Sequence, residues 1–250
     1  LDARHLYLHA KTAGYLYEAH LRAELTRTLG VAWGPVRNGI ADIDRIREPV
    51  LRAFSTRRRE IEAEMASRGV SSARAAEIAA FDTRQAKDYA VDPVVIVDQW
   101  WETAQRSGLD RESLAGVLDR DRPVPLSDPD ITQLVDHLLG AGGLTERAST
   151  FDRRAVLRAW CDQLTDGADV RTVEGFADRT LTEPAVVALR SGSTVSLHTR
   201  GSGSRIQGPD LGARYSTAEL LVHHALEQCL VLARRDGAGA AGDVADGDGV

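Results

Sequence analysis

The stretch that decides the fold is the opening one, LDARHLYLHAKTAGYLYEAHLRAELTRTLG, residues 1–30. Leu6, Ala10, Ala13, Tyr17, Leu21, Leu25 and Leu29 recur every three or four residues, the period of one helical face. Gly30 stands where a helix ends on a residue with positive φ. About six turns with one continuous apolar stripe are therefore expected. Working outward, residues 31–33 and 40–43 read as two short strands, separated by the turn formers Gly34-Pro35 and Asn38-Gly39.

From Pro49 the helical pattern resumes through Val50, Phe54, Ile61 and Met65 to Gly69, interrupted by Arg57, Arg58 and Arg59. If Ser55 caps a new helix, these cations stand in its first turn, where the macrodipole opposes them and an anion relieves the cost. Glu60, Glu62 and Glu64 supply one locally; an unbroken helix from Pro49 removes the conflict. Further helices are expected at 72–81, at 93–106 with Asp92 as N-cap, at 110–118, and at 128–139 with Asp128 as cap and Pro129 behind it. Three prolines mark 119–129 as a linker.

After Gly140, Gly142 and Gly143 the texture changes. Residues 150–164 and 169–181 read as amphipathic helices, and 186–189 and 194–197 as β-prone runs on either side of the turn Ser191-Gly192-Ser193. Ser216-Thr217-Ala218-Glu219 matches a capping box opening a helix through Leu220, Leu221, Leu226 and Leu230. The expected fold class is mainly α, an α+β fragment. A helical part spans 1–118, a linker with one short helix 119–148, and a small winged-helix-like module 149–235. Residues 236–250, with Asp236, Asp243, Asp246 and Asp248 and no cation beyond, read as a disordered acidic tail.

Of the 250 residues, 43% are hydrophobic and 27% charged, the balance of a globular chain. No apolar run reaches the ~20 residues of a membrane helix. The net charge of −6 gives no overall cationic footprint for nucleic acid. Arginine replaces lysine almost throughout, Lys11 and Lys87 being the two lysines, as a GC-rich genome would write it. Cys161 and Cys229 make no disulfide framework and fit a reducing cytoplasm. Leu1 in place of methionine suggests an internal or truncated piece.

Catalytic motifs are sparse. His5 and His9 lie four apart with His20 further on, but the glutamate of a His-Glu-x-x-His site is missing; His223 and His224 are adjacent and point apart. There is no phosphate loop ending in Gly-Lys-Ser/Thr and no nucleophile elbow. Tyr17 lies on the apolar stripe with Tyr7 and Tyr15 flanking it, so all three read as packing. What remains is cationic: Arg84 and Lys87, three apart, and Lys11 suit a phosphate backbone.

Read together, Leu1-Asp2-Ala3-Arg4, Lys11-Thr12-Ala13-Gly14, Tyr17, Leu21, Leu25-Thr26 and Leu29-Gly30-Val31 resemble the segment after the metal-binding strand in TrwC/TraI-like (MobF class) conjugative relaxases. Asn38-Gly39-Ile40, Phe54-Ser55-Thr56-Arg57-Arg58, Ile61-Glu62 and Thr83-Arg84-Gln85-Ala86-Lys87 follow in the family's order. Ser149-Thr150-Phe151-Asp152-Arg153-Arg154 and Arg214-Tyr215-Ser216-Thr217-Ala218-Glu219-Leu220-Leu221 resemble the region joining relaxase to helicase. The resemblance covers about 1–120 well and 144–221 in patches.

It implies a family that nicks plasmid DNA with a tyrosine and a divalent metal held by three histidines, and unwinds it with ATP. None of Tyr7, Tyr15 and Tyr17 occupies the nucleophile position and no His-x-His pair exists, so no catalytic residue, metal or cofactor is carried onto this segment. The region of His223-His224 also departs from the family. The expectation is a non-catalytic, cytoplasmic relaxase segment, inactive alone. Its partners would be single-stranded or origin-of-transfer DNA, reached through the full-length protein, and the missing N-terminal relaxase part, with no membrane. Lys11, Arg57, Arg58, Arg84 and Lys87 are the phosphate-contact candidates. The rivals are a helical interaction or scaffold module without DNA, and a small metal enzyme using His5, His9 and His20.

Overall fold

The computed structural model describes residues 4–84, 92–120, 124–189, 196–198, 205–207 and 212–239. Among them run, in chain order, α1 (Arg4–Leu29), α2 (Glu48–Phe54), α3 (Thr56–Ser67), α4 (Ala73–Asp82), α5 (Pro93–Arg106), α6 (Arg111–Ala115) and α7 (Asp128–Leu139). Then follow β1 (Phe151–Asp152), α8 (Arg153–Gln163), α9 (Val170–Leu181), β2 (Val186–Leu189), β3 (Ser196–His198), β4 (Arg205–Gln207), β5 (Arg214–Thr217) and α10 (Ala218–Gly239). The chain is mainly α with a small β part, as expected. It divides into two units. The larger takes Leu1–Glu24, Pro35–Ala41 and Pro123–Val250, and the smaller Leu25–Gly34 and Asp42–Arg122.

In the larger unit, α1 buries the face opposite to the one its apolar spacing indicates. Thr12, Tyr15, Ala19 and Arg22 are buried, whereas Leu6 is 75% and Tyr17 64% exposed and Ala10 and Ala13 face solvent. Leu6 and Leu8 differ by two positions, about 200° around a helix of 3.6 residues per turn, so the two stripes lie back to back. The polar side chains of the buried stripe find partners: Arg158 Nη1 donates to Thr12 Oγ1 at 2.8 Å, and Arg22 meets four carbonyls. Tyr15, not Tyr17, is the packed tyrosine.

The core of this unit joins Tyr15 and Ala19 to Ile131, Val135, Leu138 and Leu139 of α7, Phe151 of β1, Val156, Leu157 and Trp160 of α8, and Val173 and Ala177 of α9. Trp160 is fully buried; its ring lies 4.7 Å from that of Phe176, and its Nε1 donates to Thr180 Oγ1 at 2.9 Å. The helices start as local chemistry dictates. Asp152 and Asp169 accept backbone N–H groups of Ala155 and Thr172. For α7 the cap is Ser127, one residue before the expected Asp128, because Ser127 and Asp130 close a reciprocal capping box.

The sheet has the order β1-β5-β2, antiparallel throughout, with Phe151 opposite Tyr215 and Ala188 opposite Tyr215 on the other side. Among the described residues β2 pairs with β5, and β3 pairs with β4, Leu197 opposite Ile206; the expected turn Ser191-Gly192-Ser193 lies outside the described residues. The expected capping box at 216–219 is corrected. Ser216 and Thr217 end β5, Ser216 Oγ donates to Ser149 O, and Thr217 Oγ1 accepts from the N–H of Leu220 as α10 begins. Two helices between β1 and β2, then a hairpin, then a third strand filling the middle of the sheet resemble a winged-helix order. α10 continues to Gly239, four residues into the expected tail; 240–250 lie outside the described residues.

In the smaller unit the end of α1 is closed by Gly30, φ +64°, whose N–H donates to Thr26 O; a Cβ there would stand 2.8 Å from Asp119 Cα. The short strands reduce to a single bridge between Trp33 and Ile43, and in the larger unit to one between Arg37 and Ile40. The chain breaks at Ser55, between α2 and α3, but Ser55 does not cap: its Oγ donates back to Leu51 O at 2.7 Å. The buried apolar residues described here, Val31, Val50, Ala79, Ala104 and Val117, are all small. Phe54, Phe81, Val94, Val97 and Trp100 are exposed.

Candidate functional site

The expected phosphate-contact residues fall on three elements. Lys11 is exposed on α1, in the larger unit, with Nζ 5.8 Å from the centroid of the Tyr15 ring. Arg57 opens α3 in the smaller unit and turns onto the carboxyl end of α4. It donates to Thr83 O at 2.8 Å, to Thr83 Oγ1 at 2.9 Å and to Ala80 O, and pairs with Glu60 at 3.2 Å. The anion that relieves a cation in the first turn of α3 is thus the negative end of α4 together with Glu60. Arg58 pairs with Glu62 at 2.8 Å, which raises its pKa, and Arg59 reaches Ala53 O. Arg84 is exposed beside Thr83. Lys87 lies outside the described residues.

Arg57 and Arg84 therefore share one end of α4. Beside them Arg68 bridges Glu64 and Asp82, at 2.5 and 2.9 Å, which holds its pKa above the ordinary arginine value. A phosphate arriving on the α3–α4 surface competes with carboxylates already in contact with Arg57, Arg58 and Arg68, so binding there is weak and strongly screened by salt.

A buried polar cluster in the larger unit went unread in the sequence. Arg22, 1% exposed, donates to the carbonyls of Gly39 (2.6 Å), Cys161 (2.9 Å), Thr165 (3.1 Å) and Leu164 (3.2 Å). Cys161 lies in the last turn of α8, Leu164 is its C-cap and Thr165 follows, so one guanidinium closes the end of that helix and ties it to the 35–41 loop. The N–H of Gly39 donates to Asp162 Oδ1 at 2.7 Å, and a Cβ at Gly39 would meet the Tyr15 ring at 2.9 Å. Asn38 and Gly39, φ 54° and 81°, make the tight turn that their dipeptide announces. Burial lowers the pKa of Arg22 and raises those of Tyr15 and Asp162, and pushes the Cys161 thiol up to about 11. A thiol so protonated and enclosed is no nucleophile at neutral pH. The cluster is structural. Nothing in the sequence pattern pointed to it, because Arg22 lies off the stripe of Leu6, Ala10, Ala13, Tyr17, Leu21, Leu25 and Leu29 that the apolar spacing marks for burial.

The smaller unit carries an open apolar groove of about 670 Å³, lined by Phe54, Val97, Trp100, Trp101, Leu109 and Leu114 among others. Trp100 is 59% exposed, and the Arg111 guanidinium sits 4.9 Å over the Trp101 ring. Sequence pattern gave no notice of it, because α5 looks like any amphipathic helix until its neighbours are known.

Residues 1–107 match the TrwC relaxase family. The TrwC-like stretch runs from α1 through α5 and contains all five phosphate-contact candidates. The resemblance read from its motifs is thus shown for that part of the chain. No curated protein and no solved structure matches the chain. Among the described residues no three His, Cys, Asp or Glu side chains come together. Nor is any helix of the described residues long and apolar enough to cross a membrane.

Proposed function

We propose that the chain is a non-catalytic segment of a conjugative relaxase, supporting the nicking and transfer of plasmid DNA by holding single-stranded or origin-of-transfer DNA through its phosphates. The match of residues 1–107 to the TrwC family carries this reading. Lys11 and Arg84, both exposed, are the residues best placed for such contacts; Arg57 acts mainly by binding α4, and Arg58 is shared with Glu62. Metal and ATP chemistry belong to other parts of the family's architecture, and the segment works in the cytoplasm beside the rest of its relaxase domain.

The test is fluorescence anisotropy with a labelled single-stranded oligonucleotide between 50 and 200 mM salt. Each phosphate contact contributes about 0.7 to the slope of log K against log salt for single strands, so Lys11→Ala and Arg84→Ala should each flatten it by roughly that amount. Absence of binding at the lowest salt overturns the proposal. A second reading, a helical protein-interaction module without a DNA role, is favoured by the exposed apolar side chains of α5.

A further inference from the structure

Two apolar surfaces stand exposed among the described residues, and each is the kind that fits the other. One is the groove of the smaller unit, a concave surface with Trp100 and Val97 exposed along its edge. The other is α10. Its side chains from Leu221 to Glu227 are all exposed, and Leu221, Val222, Ala225 and Leu226 fall at i, i+1, i+4 and i+5, one face of a helix. An amphipathic helix laid into an apolar groove is a general mode of recognition, read through such spacing.

The charges agree as well. Glu219, exposed in the first turn of α10, lies at the border of the apolar face, about a quarter turn from its centre. Arg111 stands exposed at the groove, stacked on Trp101. Since both surfaces belong to the same chain, a second copy brings the complement of each.

We propose that α10 of one copy docks into the α5–α6 groove of a second copy, with Glu219 meeting Arg111 at the rim. The contact is heterologous, helix to groove, and is independent of the relaxase reading. A single helix-in-groove contact is small beside the ~1,600 Å² of a standard interface, so weak association is expected.

Sedimentation of the full chain from 1 to 200 μM should show a mass rising above the monomer value of 27.1 kDa. Trp100→Glu and Leu226→Glu, both at exposed positions and so neutral for folding, should each weaken association at least tenfold. Mixed one to one, they should associate again, because one brings an intact helix and the other an intact groove; the double variant should stay monomeric. Arg111→Glu and Glu219→Arg should each weaken association and, mixed together, restore it. A monomer at every concentration, association that survives Leu226→Glu, or a mixture of the first two variants that stays monomeric overturns the proposal. A monomer whose tryptophan emission shifts on Leu226→Glu identifies docking within one copy and overturns it too.

Discussion

Replacing Arg22 by methionine should destabilise the larger unit severely. The side chain is 1% exposed and its guanidinium serves four carbonyls, at 2.6 to 3.2 Å. Hydrogen bonds to a charged group contribute about 1.5–3 kcal/mol each when deleted singly, but they do not add, and the carbonyl of the exposed Thr165 recovers water. Leaving the Gly39 and Cys161 carbonyls without the guanidinium in the interior, while the Leu164 carbonyl keeps the Gly167 N–H, should cost about 3–5 kcal/mol. Against the 5–15 kcal/mol that holds an ordinary domain together, that is a large share. At roughly 2–4 °C per kcal/mol for a unit of this size, the melting temperature should fall by about 6–20 °C.

Thermal melting by circular dichroism reads the shift. Hydrogen exchange of peptides from α8 and α9 assigns it to the larger unit. Arg22→Lys should fall between, because an ammonium offers its charge at one point and cannot span carbonyls on two segments. A loss below about 1 kcal/mol in Arg22→Met, or exchange rates in α8 unchanged, would refute the idea that this guanidinium holds the helix end and the 35–41 loop together.

Two further outcomes follow from the same unit. Asp162→Asn keeps an oxygen for the Gly39 N–H and removes a carboxylate whose pKa burial raises, so at pH 7 the variant should melt no lower than the parent. An acid with a folded pKa above its unfolded value costs stability when ionised, and that cost fades as pH falls through the folded and then the unfolded pKa; any gain of Asp162→Asn should therefore vanish by about pH 3. Thr180→Val takes the acceptor from the Trp160 indole N–H in a fully buried site and should cost about 1–3 kcal/mol in urea unfolding; an unchanged midpoint would show that the indole finds another partner.

Arg22 and Arg57 use one device: each places a guanidinium on the carboxyl end of a helix, α8 and α4 respectively. In the sequence Arg57 stood out by a first turn crowded with cations, whereas Arg22, off the apolar stripe, gave no sign. A functional reading of Arg57 as a phosphate ligand was natural while its partner, Thr83, lay 26 residues away and out of sight. Lys11 and Arg84 are exposed, and the proposed phosphate contacts rest on them. The groove beside Trp100 was invisible because a groove is made by several elements, and no one of them carries its signature.

The amino-acid sequence by itself determined several of the helix ends. Asp92, Asp110 and Asp169 each accept a backbone N–H two or three residues on, and Gly30 closes α1; such contacts are settled within one turn, so neighbours in the chain suffice. Tertiary structure alone decided which face of α1 is buried, that β5 fills the middle of the sheet, and which cations are engaged. Those choices join residues up to about 145 positions apart, as Thr12 joins Arg158, and are made by whichever packing satisfies the polar groups of both stripes at once. On α1 that meant burying Thr12 and Arg22, whose partners were waiting on α8, and leaving leucine and tyrosine in water.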